Sequence, residues 1–117
     1  MPILDIRGVC DSQLCDRLEK ALQAATAELI GCEERHVYVN FLADVRDSPQ
    51  PRKQSEVPVL VTVSGLHNHD GDRDSRTQAK LASRLADAMH EVCPELTVGA
   101  AIGSYILKDA IAVRKPA

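Results

Sequence analysis

The chain has 117 residues, 44% hydrophobic and 26% charged, with 14 Lys and Arg against 17 Asp and Glu for a formal charge of −3. A chain of this length buries roughly two-thirds of its unfolded surface and needs no metal or disulfide staple, so one domain over residues 1–117 is expected. That charge balance excludes a nucleic-acid footprint or a polybasic membrane patch, 3% aromatic content is too little for a base-stacking platform, and no apolar run approaches the ~18 residues of a membrane span.

The opening Met-Pro-Ile-Leu-Asp has neither the basic nor the long apolar region of a signal peptide. Residues 3–9 form a short apolar run ending near Gly8 and read as a strand. Asp11 or Ser12 offers an N-cap oxygen. Leu14, Leu18, Ala21, Leu22, Ala25 and Leu29 then recur at helical spacing, with Gly31 as the stop. Residues 36–42 alternate, Val37, Val39 and Phe41 on one face and His36, Tyr38 and Asn40 on the other, which predicts a half-buried second strand. Residues 44–56 lose all periodicity and read as an exposed connector.

The pattern then restarts. Residues 57–66 are β-branched and strand-like, and 67–74 are a polar loop. Residues 75–93 carry Leu81, Leu85, Ala88 and Val92 on one helical face and stop at Pro94. Residues 96–102 read as another strand, and 105–113 as a final short strand or a packed tail. Repeat one spans 2–43 and repeat two 57–113, with Pro2-Ile-Leu-Asp-Ile echoed by Pro58-Val-Leu-Val-Thr. Each is a βαβ unit with parallel strands and a right-handed crossover. The predicted class is therefore α+β, a four-stranded sheet with two helices on one face. The other face needs cover, and self-association is the simplest source.

Cysteines 10, 15, 32 and 93 show no CxxC spacing and read as reduced thiols of a cytoplasmic protein, with Cys15 and Cys32 packing as small hydrophobes. Cys10, just before a helix start, is a minor candidate for a reactive thiol. His67-x-His69-Asp70-x-Asp72 has the look of a metal site, but no separate ligand cluster accompanies it. Asp70, Asp72 and Asp74 mimic the start of a calcium loop whose twelfth position is Leu81 rather than Glu. A polar connector explains both, so no metal and no cofactor is expected. The six glycines form no phosphate-binding pattern.

A chain that opens Met-Pro, enters a strand at once and repeats a βαβ unit resembles the tautomerase superfamily of 4-oxalocrotonate tautomerase, malonate semialdehyde decarboxylase and macrophage migration inhibitory factor. The stretch from Met1 through Arg7-Gly8-Val9 is most similar to an uncharacterised bacterial tautomerase-like family. The resemblance implies a homotrimer, a small-molecule substrate and an N-terminal proline base at Pro2, exposed when Met1 is removed. An α-amino nitrogen titrates at about 7.7–8.0 before perturbation, and burial lowers that towards working pH. Retention of Met1 would make the same nitrogen an amide without basicity. Pro58 is acylated and reads as structural.

The superfamily also uses cations to hold a substrate carboxylate, and Arg73 and Arg76 lie in the corresponding loop-to-helix region, Arg76 preferred. Asp70, Asp72 and Asp74 offset that charge. The arginine that short relatives carry after the first strand is missing from Gly8-Val9-Cys10-Asp11, their strand-two arginine falls near Tyr38, and the decarboxylase's strand-two aspartate falls near Arg35. A diacid substrate fits poorly. A monoacid or neutral enol fits better, with Tyr38 or Asn40 donating to the carbonyl oxygen beside Pro2. The alternative is an oligomeric binding or structural module that kept the fold without the chemistry.

Overall fold

The computed structural model describes residues 2–42, 53–64, 75–103 and 108–117. Met1, most of the 44–56 connector, the His67–His69 loop and Arg73 lie outside them. The elements run β1 (Ile3–Arg7), α1 (Ser12–Ile30), β2 (Tyr38–Leu42), β3 (Val59–Ser64), α2 (Ser75–Val92), β4 (Val98–Gly103) and β5 (Lys108–Arg114), with short 3-10 turns at Glu34–His36 and Gln54–Glu56. The sheet has five strands rather than four, in the order β2-β1-β3-β4-β5. The segment left between strand and packed tail supplies β5, antiparallel to β4.

Each βαβ unit is parallel, Ile3 facing Tyr38 and Val59 facing Val98, and the units join through the antiparallel pair β1–β3. Leu4, Ile6, Val59, Val61, Val63, Val98, Ala100 and Ile102 point to one face, where Leu14, Leu18, Leu22 and Ala25 of α1 and Leu81, Leu85 and Met89 of α2 cover them. Alternation puts every second strand residue on that face, and its burial is the main stabilising term of the fold.

Local chemistry sets the element ends. The Asp11 carboxylate accepts the Gln13 N–H at 3.0 Å and starts α1, and Gly31 ends it in the left-handed region with φ 81°. β1 stops at Arg7 because Gly8 turns the chain with φ 91°. Three predicted strand starts shift by two residues. His36 belongs to the Glu34–His36 turn rather than to β2. Val57 donates its N–H to Gln54 at 3.1 Å, and Leu96 donates to Cys93 at 3.1 Å, so both close turns before their strands begin. Arg114 pins β5 to α2 through Ser83 at 3.0 Å and Asp87 at 3.1 Å.

The match between Pro2 and Pro58 is one residue out of phase. Under it Leu4, fully buried, would correspond to Leu60, which is 46% exposed. A one-residue slip moves a side chain to the opposite face of a sheet, so local sequence likeness misaligns the two units, and Pro58 is not the structural counterpart of Pro2. Pro58 instead lies against Gly8, at the end of β1 away from Pro2.

Among the described residues no helix covers the second sheet face. It holds all four exposed large hydrophobics found among the described residues, Tyr38, Leu42, Leu60 and Val113, which are 39–53% exposed. Apolar exposure gathered on one face makes it a candidate interaction surface.

Candidate functional site

Pro2 precedes β1 and is buried. Its carbonyl accepts the Tyr38 N–H at 3.0 Å, which fixes the head of β1 against the head of β2. By alternation Pro2 falls on the helix-covered side with Leu4 and Ile6, next to Val37, which is 2% exposed. Gln23 reaches across from α1 and donates its Nε2 to the Val37 carbonyl at 3.1 Å, satisfying an edge-strand acceptor in this corner.

Tyr38 and Asn40 occupy the other face. Tyr38 pairs with Ile3 and Asn40 with Asp5 in the β1–β2 ladder, and Asn40 donates its Nδ2 to the Asp5 carboxylate at 3.2 Å. Within one protomer the sheet separates these two side chains from Pro2. Only the Tyr38 backbone touches it.

Arg76 is exposed in the first turn of α2. Topology sets which end of the sheet this is. The C-terminal end of α2 turns through Cys93 and Leu96 towards Val98, which pairs with Val59, and the Val59 N–H donates to Thr97 at 3.0 Å. The helix start therefore lies towards the opposite end, where Ser64 pairs with Ile3. Arg76 and Pro2 thus share one end of the sheet, and Arg73 falls among the residues not described. Gln78, 6% exposed in the first turn of α2, is a buried polar group at the same end. Neither Gln23 nor Gln78 is evident from the sequence, since a glutamine in an amphipathic helix reads as surface.

No group of three or more His, Cys, Asp or Glu able to hold a metal occurs among the described residues. All four cysteines are free. Cys93 is buried and its Sγ donates to the Met89 carbonyl at 3.0 Å. Burial pushes its thiol up, Glu95 adds to the shift and Arg17 opposes it. Burial also raises Cys15, followed by the carboxylates of Asp16, Asp11 and Glu19. Cys10 is exposed. Iodoacetamide at pH 8 is therefore expected to label Cys10 first and Cys93 only after denaturation, as read by peptide mass mapping. Because both shifted thiols ionise earlier in the unfolded chain, their contribution to stability falls as pH rises past the ordinary thiol value of 9.0.

Two parallel βαβ units joined by an antiparallel central pair, with both helices on one face, define the tautomerase fold, and this chain has it. A fused 4-OT protein, solved as an asymmetric trimer, superposes with a TM-score of 0.60 at 13% identity over 87% of this chain and 85% of that one. A malonate semialdehyde decarboxylase gives 0.56 at 16% identity over 89% and 84%. A domain of unknown function, DUF1904, from Sebaldella termitidis gives 0.57 at 15% identity over 91% and 90%. No protein-family model matches the sequence, and no curated protein matches it. Among the described residues no helix is long and apolar enough to cross a membrane.

Proposed function

We propose that the chain is a keto–enol tautomerase for a small 2-oxo or enol carboxylate, with the Pro2 nitrogen, freed by removal of Met1, as base. The observation that carries this reading is the position of Pro2 at the head of β1 in a tautomerase fold. A free amine at a chain terminus is a base of the strength a tautomerisation near neutral pH requires. The base takes the enol hydroxyl proton as the C2–O bond becomes a carbonyl, and the proton returns to C3 with no net redox change. Arg76, with Arg73, holds the carboxylate. Tyr38 and Asn40 lie on the other face of the sheet from Pro2 and take no part in this step. The copies form a homotrimer, a reading supported by the trimeric fused 4-OT. The four free thiols fit a reducing, cytoplasmic setting.

The second reading, an oligomeric binding or structural module, is favoured by the bare apolar face, which serves assembly whether or not Pro2 reacts. Enol-to-keto conversion of phenylenolpyruvate, followed by ultraviolet absorbance, separates the two. Turnover is expected, and Arg76→Ala should raise KM roughly ten- to a hundredfold, as loss of a charged hydrogen bond does. Turnover that survives both Pro2→Ala and Arg76→Ala undiminished would place the chemistry elsewhere, and no turnover at all would leave the module.

A further inference from the structure

Thr26, in α1, is 0% exposed, and its Oγ1 meets no hydrogen-bond partner among the described residues. It does not take the Leu22 carbonyl one turn back, the usual recourse of a helical threonine. A buried hydroxyl without a partner costs stability, so it calls for an explanation. The other orphaned atom among the described residues, His90 Nε2, lies near the C-terminal end of α2 and so at the opposite end of the sheet from Pro2.

Topology puts Thr26 at the Pro2 end. α1 closes at Ile30, shortly before the Glu34–His36 turn leads into Tyr38, the partner of Ile3, so the last turns of α1 lie over the heads of β1 and β2. Gln23, three residues before Thr26, already reaches Val37 there. Thr26 shares the buried face of α1 with Leu18 and Leu22. The nitrogen and the carbonyl of a strand residue point to the same side, so the Pro2 nitrogen is directed towards β2, like the carbonyl that takes the Tyr38 N–H. We propose that the Thr26 hydroxyl is the partner of the Pro2 nitrogen in the chain without Met1, accepting its N–H on Oγ1. While Met1 is attached, that nitrogen is a tertiary amide with no hydrogen to give. Removal of Met1 makes it a secondary amine with one N–H and one lone pair. The N–H goes to Thr26, and the lone pair is thereby turned away from α1 and towards the substrate. Thr26 is a positioning residue, touching the base and not the enol. This inference rests on the removal of Met1 in the proposed function and is independent of the enol chemistry.

A stability cycle tests it, with urea midpoints for the chain beginning at Pro2 and for the chain with Met1 kept, each with and without the near-isosteric Thr26→Val. In the chain beginning at Pro2 the variant should lower the midpoint by roughly 0.3 M, the scale of one modest hydrogen bond. With Met1 kept it should raise the midpoint, since a methyl group then replaces an unpartnered hydroxyl. Thr26→Ser should hold the midpoint of the chain beginning at Pro2 above that of Thr26→Val. Thr26→Ala carries the comparison where Thr26→Val fails to fold, as judged by circular dichroism. In the enol assay Thr26→Val should lower kcat about tenfold with KM unchanged, and Thr26→Ser should restore it. Equal midpoint shifts in the two chains overturn the hydrogen bond, even where the enol is turned over. An undiminished kcat in Thr26→Val overturns the positioning role. No turnover in the unaltered chain, with the difference between the two midpoint shifts intact, removes the tautomerase reading and leaves the bond between Thr26 and Pro2 standing.

Discussion

Gly8→Ala is expected to destabilise the protein by about 3–5 kcal/mol, a large part of the ~5–15 kcal/mol available to a domain. Two costs combine at this position. Gly8 has φ 91°, where a β-carbon is strained, and that carbon would lie 2.0 Å from the Pro58 carbonyl oxygen. The obstacle is backbone, so no rotamer change relieves it. The turn cannot shift either. Gln54 grips it from the segment before β3, accepting the Cys10 N–H on Oε1 at 2.6 Å and donating its Nε2 to the Gly8 carbonyl at 2.7 Å. Gly31 supplies the control, because it has a similar φ of 81° but nothing within 4 Å of the added carbon. Gly31→Ala should cost only the backbone strain, about 1 kcal/mol. Urea midpoints compare the two, and equal losses would show that the contact with Pro58 does not matter.

The second large effect falls on activity. Blocking the Pro2 nitrogen, either by a variant that keeps Met1 or by chemical acylation, is expected to lower enol turnover by about 10²–10⁴-fold, the usual weight of a general base. Stability should hardly change, because the Pro2 carbonyl keeps its bond to the Tyr38 N–H whichever group sits on the nitrogen. That separation of activity from stability marks a catalytic nitrogen. A strand-starting proline without a chemical role would show neither loss.

The strands and helices were legible because their apolar periodicities are strong, and Gly31 and Asp11 mark the ends of α1 by their own backbone and capping chemistry. Strand starts were less legible. Val57 and Leu96 are good strand formers, yet turn hydrogen bonds to Gln54 and Cys93 claim them first. β5 was ambiguous because only its pairing with β4 distinguishes a strand from a packed tail.

For the candidate site, the sequence offers residue types but not their arrangement. Placing Tyr38 and Asn40 beside Pro2 joined two strands without their register, which pairs Ile3 with Tyr38 and sets both on the bare face. A signal for this was present. Pro2, Leu4 and Ile6 form the apolar stripe of the first strand, just as Val37, Val39 and Phe41 form that of the second, so Pro2 belongs with the buried stripe. Gln23 and the contact of Gly8 with Pro58 depend on tertiary packing and leave no local mark.

The intact mass of the purified chain decides whether Pro2 carries a free, basic nitrogen. The expected mass is that of the sequence without Met1, with Pro2 as the first residue. A chain that retains Met1 and still converts the enol at full rate would contradict it.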